Sequence, residues 1–426
     1  MSTSEEQKTP TDEISATENT SENIQNSFMT SEQLKEAKHY NRLSLTCSLM
    51  DRAVDLLYLT VFTFFCAIPV DGWLKDLTFT PIFQNIYVRA ACLLLFMTAG
   101  HILISLPLSF YDGYVLEKKF GLSNLSMRKW VKRFFAKMIL ATILNLFLLL
   151  TVFFLMHSCG TLWWIVAALA FFCFSMLLGV LLPVTILPLF YKIERLDNPE
   201  LLTYLERCTY GTSLTLEGVY QMALSEETTK ANAMLAGMGK SRRVILGDTL
   251  LKNFTWQEIE AIFAHEVGHH VHRHLPKMLF CGLLGSFIIF FVIDIFIRFF
   301  FYFMEPSTSG TGAFSFFNAS FPYADLPEWI LPAFLLGITI TSTFLEPLQN
   351  ALSRYFENQS DEYAVKNTSA DAMIQAFRKL AIQNKADPDP HWLEVWWMHS
   401  HPALAERIRR CEKLKAERIN PGDGEV

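Results

Sequence analysis

Two histidines with a glutamate directly after the first form the run His265-Glu266-Val267-Gly268-His269. On a helix, residues four apart share a face, so both imidazoles can reach one metal ion. Glu266 then stands beside that ion, placed to take a proton from a water held there. Two neutral nitrogen ligands, an open position and a carboxylate base are the minimal set for zinc-dependent hydrolysis of a peptide bond.

A helix must present these groups, and the sequence around them encodes one. Thr255 and Glu258 form a capping box that starts it. Ile259, Ile262 and Phe263 supply its apolar face, and Pro276 marks its end. The bland alternative is a solvated histidine-rich helix end, since His270, His272 and His274 follow directly. His270 and His274 are also four apart, but no glutamate follows His270, so that pair would bind metal without a base. A catalytic zinc needs a third protein ligand. Glu357 and Asp361 are four apart in a helical stretch; Glu357 could ligate while Asp361 holds a ligand histidine from behind. The same spacing equally suits a solvated acidic helix face. Upstream, 218–224, 231–237 and 243–246 read as short strands with a turn at 239–241. A small sheet beside the metal helix suits a peptidase, because an edge strand can pair with an extended peptide. Farther on, Ser400-His401-Pro402 reads on its own as a cap for a helix beginning at Ala403.

The elements that carry this chemistry are embedded in an apolar chain. Hydrophobic residues make up 51% of the 426, 37 are Phe and only 18% are charged; mean hydropathy is +0.25. Candidate membrane spans lie at 53–71, 85–108, 137–156, 162–186, 279–301 and 328–347, each near the roughly 20 residues that cross a bilayer core. Runs such as 139–156 are too long and too free of charge for the buried helices of a soluble protein. Lys118, Lys119, Arg128, Lys129, Lys132 and Arg133 crowd the loop between spans two and three, whereas the loop between spans one and two holds only Lys75. The positive-inside rule then places the 112–136 loop, the 191–277 segment and both termini in the cytoplasm. Residues 1–30 are rich in Ser, Thr and Glu and are expected to be disordered. They hold no apolar segment of a cleavable signal, so the first span does the targeting. Cys66, Cys92, Cys173 and Cys281 lie in apolar runs and read as free thiols. A net charge of −6 gives no sign of a nucleic-acid partner. Asp294 and Arg298 sit four apart inside span five, as an ion pair or as the lining of a hydrated chamber.

The expected fold class is mainly α: a polytopic helical membrane protein of about six spans with a cytoplasmic peptidase module carrying a small β-sheet. The expected organisation is a tail (1–30), spans one to four (31–190), the module with its metal helix (191–277), spans five and six (278–349), a helical completion of the module (350–415) and a second tail (416–426).

Several further motifs complete a recognisable set. They are Asn232-Ala233 ahead of Arg243-Val244-Ile245-Leu246-Gly247-Asp248-Thr249-Leu250-Leu251, Glu357-x-x-x-Asp361, and His401-Pro402-Ala403-Leu404-Ala405-Glu406-Arg407. Leu106-Pro107-Leu108-Ser109-Phe110-Tyr111 leads into Val115-Leu116-Glu117-Lys118-Lys119-Phe120-Gly121. Together with the 265–269 run, and over residues 30–415, the chain resembles the type I CAAX prenyl endopeptidases, gluzincin metalloproteases embedded in membranes. The resemblance implies spans around a water-filled chamber and substrates that are prenylated proteins cut after the lipidated cysteine. It implies one Zn2+ per chain on His265, His269 and Glu357, with Glu266 as base and Asp361 orienting a ligand histidine. It also implies Asn232 and Ala233 on the substrate-pairing strand, His401 at the oxyanion and Arg407 nearby. The chain departs from the family in showing six spans rather than seven, and in Gly237-Met238-Gly239-Lys240, where an aromatic-rich turn is usual. The expected partners are a peptide or lipidated-protein substrate and the bilayer, with the chain as a monomer. The expected location is the inner membrane if bacterial and the endoplasmic reticulum if eukaryotic. The competing functions are an HtpX-like quality-control protease and, in another class, a non-catalytic scaffold or transporter. No catalytic group is lost and no repeated halves are seen, which argues against the last.

Overall fold

The computed structural model describes residues 29–77, 81–237, 242–304 and 321–419. The tail before residue 29, the turn at 239–241 and most of the loop after span five lie outside the described residues. In chain order the elements are helices α1 (Ser31–Asp76), α2 (Ile86–Lys119), α3 (Met127–Cys159) and α4 (Trp163–Leu181). Then come β1 (Ile193–Arg195), α5 (Pro199–Thr209), β2 (Gly218–Met222), β3 (Ala233–Ala236) and β4 (Arg243–Gly247). The described elements that follow are α6 (Asp248–Asn253), α7 (Trp256–Val271), α8 (His274–Met304), α9 (Ile330–Asn367), α10 (Ala370–Gln383), α11 (Trp392–Met398) and α12 (Leu404–Ile419).

The chain divides into two compact units. One comprises, of the described residues, 45–77, 81–191, 273–304 and 321–348 and is apolar inside and out. Its core gathers Leu93, Phe153, Met156, Trp163, Phe290, Ile293 and Phe334. Its outer surface shows Phe65, Leu103 and Phe344, each more than 70% exposed, as a helix bundle facing lipid requires. Among the described residues, five helical stretches are long and apolar enough to cross a membrane. One of them, Met127–Phe190, is broken where Gly160 adopts φ +53°, and α3 and α4 fold back on each other with Phe147 and Phe174 rings 5.8 Å apart. Counting that hairpin as two gives about six spans. Inside the bundle Asp294 accepts hydrogen bonds from Trp163 Nε1 (2.7 Å), Arg298 Nε (2.9 Å) and the Tyr323 hydroxyl. The Asp294–Arg298 pair is therefore a buried ion pair with every carboxylate oxygen engaged, which is how an ionised group survives in such a setting.

The other unit comprises, of the described residues, 29–44, 192–237, 242–272 and 349–419. Its four-stranded sheet has the order β1-β2-β4-β3, with β2 and β4 parallel and both outer pairings antiparallel. The strand β1 escapes the sequence pattern, being three residues long with Glu194 and Arg195 charged. The β2 and β3 strands are shorter than expected, ending at Met222 and Ala236. Leu201, Leu205, Val244, Leu246, Phe263, Val267, Met373 and Phe377 form the core beneath the sheet. Met29, inside the stretch expected to be disordered, is instead buried against Ala37 and Ala381.

Candidate active site

The helix α7 starts as its sequence dictates. The Glu258 N–H donates to Thr255 Oγ1 (3.3 Å) and the Thr255 N–H to Glu258 Oε2 (2.7 Å), closing the capping box. Lys379 on α10 reaches Glu258 at 2.6 Å and ties the start down. Ile259, Phe263 and Val267 bury the apolar face. The helix ends at Val271, five residues before Pro276. Arg273 takes φ +54°, and Pro276 lies in the first turn of α8, where its missing N–H has no helical partner to lose.

Gly268 determines how closely α9 approaches this helix. A Cβ on it would lie 2.9 Å from Ser360 Cα and 3.1 Å from Tyr363 Cβ. Only a glycine opposite the fully buried Ser360 lets the histidine face of α7 meet the acidic face of α9. Glu357 and Asp361 are both buried there, so they do not form a solvated acidic face.

The result is a tight cluster. His265, His269 and Glu357 each offer a donor atom, all within 4.8 Å of one another. His265 Nε2 and His269 Nε2 face each other at 3.1 Å, and Glu357 lies 3.3 Å from each ring, through Oε2 and Oε1 respectively. Facing ring nitrogens at this distance tolerate a single proton, or an ion, between them. A tetrahedral zinc with ligand bonds near 2.1 Å separates its donors by about 3.4 Å, close to the 3.1–3.3 Å seen here. Glu357 Oε2 is a buried carboxylate oxygen with no well-directed hydrogen bond, although His401 Nδ1 stands 2.7 Å away and Arg407 Nη2 3.4 Å away. An oxygen left in this state is suited to an ion.

Behind the cluster, Asp361 Oδ1 accepts from His265 Nδ1 at 2.8 Å. That bond leaves Nε2 turned toward His269 and Glu357. Arg407 donates to both oxygens of Asp361, while its guanidinium lies 4.3 Å over the Phe377 ring. Burial works against charge on His265, but its hydrogen bond to Asp361 and the nearby Glu357 carboxylate outweigh burial and raise its pKa to about 9. For Arg407, too, burial opposes charge, and the Asp361 carboxylate more than offsets it.

Glu266 is half-buried on the same helix and has no hydrogen-bond partner among the described residues, so its carboxylate is available for proton transfer. His401 is 60% exposed and touches Glu357, while His399 contacts Glu394 Oε1 at 3.1 Å. His270 is engaged elsewhere: Arg242 Nη1 donates to its Nδ1 (2.6 Å), and its Nε2 faces the Ser213 hydroxyl (3.1 Å). Burial and the Arg242 charge hold its pKa below the usual histidine value. Both ring nitrogens of His270 already have partners, and the donor cluster found among the described residues does not include it. Asn232 is exposed just ahead of β3, and Ala233 is the first residue of that edge strand. Sequence reasoning missed Gly268 and Phe377. The glycine inside a helical pattern was the available signal for a close approach; nothing marked Phe377 as the platform under Arg407.

Comparison with known proteins shows the family. Residues 195–415 match Peptidase family M48, and residues 13–192 match the CAAX prenyl protease N-terminal family, described by five membrane helices. The chain is 29% identical to "Uncharacterized metalloprotease YhfN" of Bacillus subtilis, over 83% of each chain. It is 28% identical to "CAAX prenyl protease 1" of Saccharomyces cerevisiae, over 78% of this chain and 74% of that one. The crystal structure of S. mikatae Ste24p has the same fold, with a TM-score of 0.75 over 90% of both chains at 24% identity. The chain thus belongs to peptidase family M48, as a multi-pass membrane metalloendopeptidase whose N-terminal part is the membrane domain of the CAAX prenyl proteases.

Proposed function

We propose that the chain is a zinc endopeptidase that cuts near the C-terminus of prenylated or membrane-tethered proteins, acting as a monomer with its site on the cytoplasmic side. The observation that carries this reading is the convergence of His265, His269 and Glu357 on one point, with Asp361 and Arg407 locking the first of them. These three residues would hold Zn2+. When bound, the ion supplies a Lewis acid that polarises the scissile carbonyl and makes a water acidic.

The chain's own residues do the rest. Glu266 accepts the water's proton and delivers it to the leaving amine nitrogen. His401, exposed beside Glu357, donates to the oxygen on which negative charge develops. The edge strand β3 supplies the binding register. Asn232 C=O accepts from the Gly247 N–H (2.9 Å), and Ala233 stands opposite Leu246. In an antiparallel ladder alternate residues turn away from the partner, so Ala233 and Leu235 direct their N–H and C=O groups outward. An extended substrate pairs there. The Asn232 carbonyl faces β4, and its exposed side chain is the part left for substrate.

Relatives named as CAAX prenyl proteases support a lipidated substrate, and the lysines and arginines at 118–133 support a cytoplasmic site. The location would then be the inner membrane in a bacterium or the endoplasmic reticulum in a eukaryote. The test is turnover by the purified full-length protein of a farnesylated C-terminal peptide against unlipidated casein. Cleavage after the lipidated cysteine is expected. Preference for casein would favour a quality-control protease instead.

A further inference from the structure

The outward edge of β3 is closed at one end by a side chain. Ala231, two residues before Ala233, faces outward by the same alternation. Its N–H donates to Asn384 Oδ1 at 2.9 Å, and its C=O accepts from Asn384 Nδ2 at 3.5 Å. The carboxamide thus makes the two bonds that a neighbouring strand residue would make. One step earlier, Gln383 Nε2 donates to Thr229 C=O at 2.7 Å. The end of α10 therefore serves as the adjoining strand for 229–231, and the free edge begins at Ala233. Ala233 and Leu235 have no partner on that side among the described residues.

This closure is held firmly. The helix α10 ends at Gln383, with the Asn384 N–H bonded to Leu380 C=O and Ala386 N–H to Ala381 C=O, both at 3.0 Å. Lys385 adopts φ +49°, unusual for a residue with a side chain. Asn41 on α1 donates to its carbonyl at 2.6 Å, and Glu36 pairs with its ammonium group. On the strand side, Thr249 Oγ1 donates to Lys230 C=O (2.8 Å), and Lys230 Nζ reaches Tyr40 (3.0 Å). Both partners of the Asn384–Ala231 pair are fixed before substrate arrives.

We propose that Asn384 is a specificity-determining stop: its side-chain amide occupies the pairing slot at Ala231 and limits how far a bound peptide extends along β3 in that direction. A peptide that reaches past Ala233 meets an amide already hydrogen-bonded in its place. Its extra residues must leave the edge, so their backbone groups gain no pairing. The stop thereby sets the register of the segment lying over Ala233 and Leu235. This rests on the reading that β3 pairs with substrate.

The test uses the full-length protein and farnesylated peptides lengthened stepwise, one series before the cysteine and one after it. KM, kcat and the cleaved bond are followed, the last by mass spectrometry. In wild type, one series loses kcat/KM by about tenfold beyond a limiting length. Asn384→Ala, which reopens the Ala231 slot, removes that limit and leaves the shortest peptide within about twofold. Asn384→Asp keeps the acceptor for the Ala231 N–H and keeps the limit. Equal length profiles in wild type and Asn384→Ala overturn the proposal, as does an equal loss for every peptide, which would mark a structural brace. Relaxation in Asn384→Asp as large as in Asn384→Ala also overturns it. Leu235→Pro removes an outward N–H that β4 does not use. If it leaves KM unchanged, the strand-pairing reading itself fails. If it raises KM while the Asn384 variants behave as wild type, only the stop fails.

Discussion

Arg407 grips Asp361 with two parallel hydrogen bonds, Nε to Oδ2 at 2.8 Å and Nη2 to Oδ1 at 2.7 Å. The same Oδ1 accepts from His265 Nδ1, so a guanidinium, a carboxylate and an imidazole stand in series behind the cluster. Such a series fixes the tautomer and angle of the His265 ring. We expect Asp361→Asn to weaken metal affinity or activity by about 10–100-fold without abolishing folding. Competition with a chelator of known affinity checks this; an unchanged affinity would reduce Asp361 to a structural partner of Arg407.

Glu266→Gln is expected to keep the metal and the fold while losing nearly all turnover. The amide fills the same space but cannot take a proton. Activity within a few-fold of wild type on a farnesylated peptide would assign the base to another group.

His401→Ala is expected to lower kcat by about 100–1,000-fold with little change in KM, because a donor to a developing oxyanion acts only in the transition state. His399→Ala should be mild, since its ring contacts Glu394 rather than the cluster. Steady-state kinetics on both variants decides; a severe His399 variant with a mild His401 variant would reverse the assignment.

Gly268→Ala sets two effects against each other. Alanine gains about 1 kcal/mol of helix propensity over glycine. The added methyl meets Ser360 backbone at 2.9 Å, and overpacking of this kind costs about 1–3 kcal/mol. The clash is with backbone, which cannot rotate away, so the net effect should be destabilising and should part α7 from α9. Thermal unfolding and metal content should fall together. A more stable variant with full metal content would show the seam to be looser than described.

Asp248 gives a pH-dependent contribution to stability. Burial alone would raise its pKa, but the Ser225 N–H (2.8 Å) and hydroxyl, with Lys252 at 3.5 Å, hold it below the ordinary value of 3.8. A depressed folded pKa means that the stabilisation is complete above the ordinary value and is lost as pH falls through the folded one. Asp248→Asn should therefore lower stability near neutral pH and flatten its acid dependence. Parallel pH profiles for wild type and variant would contradict this.

Much of the site is local in the sequence and was legible there. The spacing of His265, Glu266 and His269 and the Thr255–Glu258 capping box each lie within one helix, where periodicity fixes the geometry. The apolar spans were legible because length and lack of charge suffice. Long-range features were not. Whether Glu357 and Asp361 face solvent or the histidines depends on the α7–α9 approach at Gly268, and spacing alone leaves that open. The β1 strand is too short and charged to show a pattern, and its place is set by pairing with β2. Asn384 is an ordinary helix-end residue in sequence; only the sheet order, with β3 at the edge, gives its amide something to do.

On the proposed function, His265, His269 and Glu357 together hold the one ion that turnover needs. The direct measurement is zinc per chain, by mass spectrometry of the purified full-length protein, alongside turnover of a farnesylated peptide. About one zinc is expected in wild type and in Glu266→Gln, and almost none in His265→Ala or Glu357→Ala. Full zinc in either ligand variant, or turnover by protein stripped of metal, would contradict it.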